Sequence, residues 1–468
     1  MHAAQFPTRG RLAVDPHAVR AALGQRRILR LPLDGRGSQR RRTDQRDARG
    51  FAHARIVDRA QADLRPDAGG VAERERDPGS GLVRVLHEAR RILASRRTTA
   101  HSGATLSARP SGSYLASLQA FRGLAAALVV FDHLHFHSEM RQGPGLLPAA
   151  FLYGHLGVDF FFVLSGFIIQ HVHGADAGHR ERAGDYAWRR FARIWPLLAA
   201  LTTLKLVYMA VSGAGVRDEK FSPLVIATSY LCLPLPGWPE TGWPVLDVAW
   251  TLRHEALFYT VFLVPIVFGA RTWRWVASTW IALIAARLVL GVAAPEQRVP
   301  FPLDFVAHPL NLEFLLGIGV AIAVERWPAR GGRAQIELLL GTALCALGVA
   351  GYAEIEGPLR DGLRIVLALG LALLIHASVE LERAGALRLP RALAYVGDAS
   401  YSLYLWHGFA IGALLALWPS LPAPLSDWPR GWLVLTFVVS FASSLAVYRW
   451  LEQPLTRLVR RLRPQARR

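Results

Sequence analysis

The sequence predicts an all-α integral membrane protein: a bundle of about ten transmembrane helices with both termini in the cytoplasm. Three observations carry that prediction. Of the 468 residues 52% are hydrophobic, and the mean hydropathy is positive at +0.24. The apolar residues fall in uninterrupted blocks of about 20, the length that crosses roughly 30 Å of hydrocarbon at 1.5 Å per residue. Arginine, finally, alternates from loop to loop, as the orientation of membrane helices requires. The formal net charge of +19 would suggest a nucleic-acid partner if it were spread evenly, but residues 1–110 hold 23 Arg and 11 acidic residues, so +12 of it lies there. Most of the remainder sits in loops on one side of the spans, which reports orientation and argues against a nucleic-acid partner. Cys232 and Cys345 both lie in apolar segments and offer neither a disulfide framework nor a zinc site.

Taken in order, residues 1–110 are rich in Arg, Gly, Asp and Pro and show no sustained helical or strand period. Only LVRVLHEARRILA at 82–94 reads as a short amphipathic helix. The expectation is a disordered, Arg-rich leader in weak contact with anionic lipid, or a stretch upstream of the true start. Its first 30 residues lack the apolar core of a secretory signal. From Ser111 the pattern changes, and spans are predicted at 117–137, 152–171, 194–212, 247–269, 273–293, 303–324, 336–353, 361–378, 391–416 and 431–450. With the N-terminus inside, the cytoplasmic loops become 172–193, 270–274, 325–335, 379–391 and the tail from Arg449, each carrying two or more arginines. The opposite loops are poor in basic residues. The apolar piece 221–236 is short and ends in Pro, and a span there would invert every later loop. It is assigned to the outer interface or a re-entrant segment. Residues 459–468 form a basic cytoplasmic tail. No internal repeat is visible, which weakens a transporter reading.

The first span, LQAFRGLAAALVVFDHLHF from Leu118 to Phe136, carries the strongest chemical signal. Ionisable groups at membrane depth cost on the order of 2.5–3.5 kcal/mol and mark a surface that faces protein or water. Arg122 and His133 are 11 residues apart. At about 100° per residue they share one helix face, roughly 16 Å apart along the axis. A guanidinium and an imidazole thus point into one interior groove at different depths, with Asp132 beside the imidazole. Simpler roles exist for each: Arg122 could snorkel to the headgroups and His133 could make an interhelical hydrogen bond. His133 and His137 are spaced for a metal pair, but no third ligand is near, and no metal is expected.

Further polar residues lie inside the apolar blocks. The second span, GHLGVDFFFVLSGFII, contains Asp159, Ser165 and Gly166; small residues there allow close helix contact, whereas a buried Asp159 needs a partner. WRRFARIWP opens the third span, with Arg190 and Arg193 on one helix face. They could anchor the helix at the inner surface or clamp a phosphorylated ligand. WTLRHEALFY brings Glu255 to a depth that overlaps His133, so that a carboxylate–imidazole pair is possible. Such a pair would hold the tautomer of a general base. HPLNLEFLLGI adds Asn311 and Glu313 at similar depth, and GDASYSLYLWH adds Tyr401, Tyr404 and His407. So many polar residues at one level imply a polar cavity.

As a set these segments resemble the membrane acyltransferase 3 family, whose members O-acylate bacterial exopolysaccharides, O-antigens, nodulation factors and some macrolides. The resemblance covers about 114–458 and rests on Arg122 and His133 with ten residues between, GVDFFFVLSGFII, RRFARIWP, WTLRHEALFY, SYSLYLWH and LEQPL, in the family's order. It implies a ten-span acyltransferase domain over 111–458. It also implies Arg122 and His133 as catalytic residues, and Arg190 and Arg193 as contacts to an acyl-CoA donor, read as acetyl-CoA. With no esterase-like domain after the last span, the chain looks like the stand-alone, exopolysaccharide-modifying type; the Arg-rich leader is outside the family pattern.

The expected activity is transfer of an acyl group, read as acetyl, from acyl-CoA to a hydroxyl of a cell-surface or exported glycan, free or lipid-linked. The expected location is the bacterial inner membrane. His133 would take the hydroxyl proton with Glu255 or Asp132 orienting it, and Asp159, Asn311, Glu313, Tyr401 and His407 are further cavity candidates. The rival readings are a glycolipid transporter or flippase, which moves its substrate without covalent change, and a sensor or assembly subunit of an envelope complex.

Overall fold

In the computed structural model, residues 115–142, 145–213, 219–237, 242–327, 332–355, 358–423 and 426–463 are described. The leader, with the helix expected at 82–94, lies outside the described residues, as do the last five residues of the basic tail. Among the described residues the regular structure is entirely helical.

The long helices are α1 (Ala116–Gln142), α2 (Gly157–His173) and α3 (Ala183–Ser212), followed by the short α4 (Pro223–Leu231). Then come α5 (Trp250–Phe268), α6 (Thr272–Ala293), α7 (Leu310–Arg326), α8 (Arg333–Glu354) and α9 (Pro358–Arg383). The chain ends in α10 (Arg391–Asp398), α11 (Ser400–Leu417), α12 (Pro429–Val447) and α13 (Gln453–Arg461). Among the described residues nine helices are long and apolar enough to cross a membrane. At 27 residues α1 is long enough too, and what separates it from the nine is its polar content, Arg122, Asp132, Glu139 and Arg141 included.

Each predicted span coincides with helix, with four departures. The span predicted at 303–324 is a single turn, Leu303–Val306, and α7, separated by a break at residues 307–309. Helix α3 begins at Ala183 rather than at 194, which puts Arg190 and Arg193 inside regular helix. The span predicted at 391–416 is two helices that meet at Ala399. The last span continues past 450, through a π turn at Tyr448–Glu452, into α13. Pro454 supplies the cause: it has no N–H to donate, and its ring would strike the carbonyl four residues back, so the backbone widens by one residue instead of breaking. Within 221–236, α4 is nine residues long, too short to cross, and is capped by Ser222, whose Oγ accepts from the Val225 N–H at 3.3 Å.

Helix α1 is the hub, in contact with α2, α9, α10, α11 and α12. Backbone contact holds these helices where side chains would keep them apart. A Cβ on Gly397 of α10 would collide with the Gln119 carbonyl of α1. Likewise a Cβ on Gly317 of α7 would strike the Val163 carbonyl of α2, and one on Gly166 the Phe314 carbonyl. In lipid, where apolar burial gives little net drive between helices, such small-residue contacts supply much of the association. Gly317→Val should therefore destabilise the detergent-solubilised protein by about 1–3 kcal/mol or more, read as a lowered Tm. Gly412→Val, at a glycine with open space around it, should leave Tm unchanged; equal losses in the two would contradict the packing account.

Candidate active site

A cavity of about 470 Å³ runs into the bundle between α1, α2, α3, α5 and α11. Its lining on α2 extends from Val158 to His173, about 22 Å of helix at 1.5 Å per residue. The volume is that of a site for a small molecule or cofactor. Six arginines line it (Arg122, Arg189, Arg190, Arg193, Arg460 and Arg463) against two carboxylates, Asp185 and Glu255. The mouth is basic and exposed. There Asp185 bridges Arg189 and Arg463, at 2.9 Å each, joining the start of α3 to the end of the described chain. The two segments that the sequence assigned to one side of the membrane, 172–193 and the tail from Arg449, thus meet at one end of the bundle.

Deeper in, Arg193 donates to Glu452 at 2.6 Å, and Ser402 Oγ donates to the other oxygen of the same carboxylate at 2.6 Å. Glu452 is 1% exposed, and the π turn aims it inward. Arg190 is held differently. It donates to His173 Nε2 at 2.9 Å, and His173 Nδ1 donates to Asp176 at 2.7 Å. The Arg190 guanidinium also lies 5.6 Å from the Tyr259 ring, and its Nε is buried with no partner. Arg122 donates to Gln119 at 3.2 Å. Among the described residues neither Arg122, Arg190 nor Arg460 forms an ion pair with a carboxylate. Unpaired guanidinium groups around a buried N–H are the donor set that phosphate oxygens satisfy.

Of the polar residues singled out from sequence, Arg122, Ser165, Arg190, Arg193, Glu255, Tyr401 and Tyr404 line this cavity. His133 does not. It lies one layer further from the mouth: Phe161 and Tyr404 meet edge to face at 5.9 Å at the inner end of the cavity, and His407 lies behind Tyr404 with its ring 4.8 Å from His133. His133 Nδ1 donates to the Val129 carbonyl at 2.9 Å, which fixes the tautomer and leaves Nε2 with its lone pair. His407 is fully buried and tied in the same way, Nδ1 to the Leu403 carbonyl at 2.9 Å, with Nε2 unpartnered.

The pair expected between His133 and Glu255 is not formed. Glu255 accepts from Tyr259 one turn along α5 and from Ser165 at 3.4 Å, while Tyr404 and His407 occupy the space towards α1. Depth counted along the sequence cannot register an intervening helix. The carboxylate nearest His133 is Asp132, at 4.0 Å, and it also accepts from His155 Nδ1 at 3.2 Å.

Three further candidates belong to buried networks outside the cavity. Asp159 accepts two hydrogen bonds from Arg364, at 2.9 Å each, and Glu313 lies against Asp159. Asn311 accepts from His254 at 3.0 Å and donates to the carbonyls of Phe305 and Val306 at 2.9 Å, closing the turn before α7. The single polar level expected from sequence is therefore several separate clusters, because each buried group takes the partner nearest on a neighbouring helix. Tyr401 and Tyr404 also donate to backbone carbonyls, of Ile194 and Val248. Sequence reasoning missed Glu452, Arg364 and His155. The signal for Glu452 was present as a carboxylate just before a proline at the end of an apolar span. No group of three or more potential metal ligands occurs among the described residues.

Fold and site together define a polytopic membrane protein with a basic, phosphate-compatible cavity leading from one end of its helix bundle towards a pair of imidazoles. Residues 115–449 match the family model described as "Acyltransferase domain", and the chain belongs to this membrane acyltransferase 3 family; it is an acyltransferase. It is 33% identical over 333 residues to the exopolysaccharide production protein ExoZ of Rhizobium meliloti, covering 66% of this chain and 91% of that protein. It is also 25% identical over 373 residues to the putative peptidoglycan O-acetyltransferase YrhL of Bacillus subtilis, and 22% over 320 residues to the O-acetyltransferase OatA of Staphylococcus aureus. These matches cover 73% and 63% of this chain but only 55% and 50% of the two relatives. No solved structure matches.

Breaking the Arg193–Glu452 contact leaves a partly buried charge without its partner. Glu452→Ala should destabilise the protein at the low end of about 3–5 kcal/mol, because Arg193 still faces the cavity. Adding Arg193→Ala should cost little more, and additive losses in a double-mutant cycle on Tm would contradict the pairing.

Proposed function

We propose that the protein O-acetylates a cell-surface or exported glycan, with acetyl-CoA as the donor, while seated in the bacterial inner membrane with both termini in the cytoplasm. The observation that carries this reading is the arginine cavity, whose mouth gathers the loops that the positive-inside pattern assigns to the cytoplasm. Arg190, Arg193 and Arg460 hold the donor phosphates there, and Arg122 neutralises charge further in. The acyl end lies towards Phe161 and Tyr404, and a rotamer change of these two rings opens the way to His133.

The glycan hydroxyl comes to His133 from the opposite end. Its oxygen attacks the thioester carbonyl carbon; the new C–O bond forms as the C–S bond breaks. His133 Nε2 takes the hydroxyl proton and returns it to the departing thiolate of CoA. The Nδ1–Val129 hydrogen bond keeps Nε2 free for that proton. Asp132 stabilises the imidazolium that forms in between, a role that its 4.0 Å separation permits. Glu255 belongs to the donor side, where with Tyr259 and Ser165 it shapes the cavity wall. The relatives' names, two of them O-acetyltransferases, favour chemistry over the flippase reading.

His133→Ala should reduce transfer by about 10²–10⁴-fold at an unchanged level of protein in the membrane. Mass spectrometry of the glycan checks it, since each acetyl adds the mass of an acetyl less a hydrogen. A variant that still acetylates at the wild-type rate would remove His133 from the chemistry. A glycan moved across the membrane with no mass change in the wild type would favour the flippase.

A further inference from the structure

At the end of the bundle away from the arginine mouth, a second cluster surrounds the approach to His133. Asp132 of α1 accepts from His155 Nδ1 at 3.2 Å. The His155 ring lies 5.5 Å from Tyr352 of α8, and the Arg360 guanidinium of α9 covers the same tyrosine at 3.9 Å. The cluster is built rather than incidental. His155 is delivered by a helical turn, Ala149–Leu156, pressed onto α1 so closely that a Cβ on Gly154 would meet the Leu128 carbonyl. It is also accessible: the side chains of His133, His155 and Asp132 are 30%, 35% and 16% exposed.

The charges are unequal. Arg364, 5.9 Å from the same tyrosine, is matched by both oxygens of Asp159. Arg287, nearby at this end, pairs with Asp361 at 3.4 Å. Arg360 has no carboxylate partner among the described residues, and its Nε is buried without a hydrogen bond. Positive-inside anchoring does not explain it, because it lies on the side that the pattern leaves poor in basic residues. A guanidinium stacked on an aromatic ring is weakly hydrated and held flat, ready for two-pronged recognition of a carboxylate.

We propose that Asp132, His155, Tyr352 and Arg360 form the acceptor subsite and select a glycan that carries a carboxylated sugar, such as a uronic acid. This rests on the acyl-transfer reading above. Asp132 and His155 hold hydroxyls of the sugar presented to His133, Tyr352 packs against its ring, and Arg360 binds the carboxylate of the same or the adjoining residue.

The test uses the full chain in phosphatidylcholine nanodiscs, acetyl-CoA as donor, and two acceptors: the producing cell's exported polysaccharide stripped of acetyl groups, and the same polymer with its carboxylates reduced to alcohols. The wild type should show a KM about tenfold lower for the unreduced polymer, the loss expected for one charge-assisted pair. Arg360→Gln should erase that preference by raising the KM for the unreduced polymer to that for the reduced one, and Arg360→Lys should restore part of it. Equal KM values for the two polymers in the wild type overturn the subsite, as does an Arg360→Gln variant that lowers kcat on both alike. An effect of Arg360→Gln that appears only when phosphatidylglycerol is added assigns the arginine to the lipid surface and also overturns it. A wild type that acetylates neither polymer overturns the acyl-transfer reading itself, a result separate from any loss of preference.

Discussion

A charge within the hydrocarbon must have a partner, and most of this structure follows from how its arginines meet that demand. Arg364 is matched by Asp159 and Arg193 by Glu452, each across two helices. Both pairs tie the bundle together, and both cost too much to break for either helix to shift alone. Arg122 and Arg190 are different. They face a cavity rather than a carboxylate, so water or a ligand must meet their charge. The partnered arginines hold the scaffold, Arg193 lining the cavity as well, and the unpaired ones leave positive charge there for the proposed donor to meet.

The same demand explains the division of the bundle into two ends. Three apolar clusters meet at Phe161, whose ring packs against all of them. On one side of that layer lies the arginine cavity, and on the other lie the imidazoles and the Asp132–His155 cluster. The proposed transfer needs such an arrangement, because in it donor and acceptor arrive from opposite faces and must meet without opening a continuous water path. The glycine contacts at Gly317 and Gly397 hold α7 against α2 and α10 against α1 at backbone distance.

Much of this was legible in the sequence. Blocks of apolar residues located the helices, since a span needs a minimum length whatever it packs against. The motif set identified the family and singled out Arg122, Arg190 and Arg193, which line one cavity; Glu255, expected beside His133, joins them there instead. What failed was the inference from equal depth to shared company. Counting along the sequence puts His133 and Glu255 at overlapping depths, yet Tyr404 and His407 of α11 stand between His133 and the cavity that Glu255 lines. Asp159, Glu313 and Asn311 turn to other helices, because a one-dimensional pattern gives the height of a residue and the face of its own helix but not the neighbour on that face. Glu452 was missed for a related reason. Its inward aim depends on a π turn forced by Pro454, which shifts the helix face by one residue relative to regular helical spacing.

The central claim is that the arginine cavity holds the donor and delivers its acyl end to the layer next to His133. A cryo-EM map of the protein with a hydrolysis-resistant acetyl-CoA analogue tests it most directly. The account predicts density for the phosphates among Arg190, Arg193 and Arg460, with the acyl end against Phe161 and Tyr404. Phosphate density at the opposite end of the bundle, or an analogue bound with its acyl end turned back towards the mouth, would contradict it.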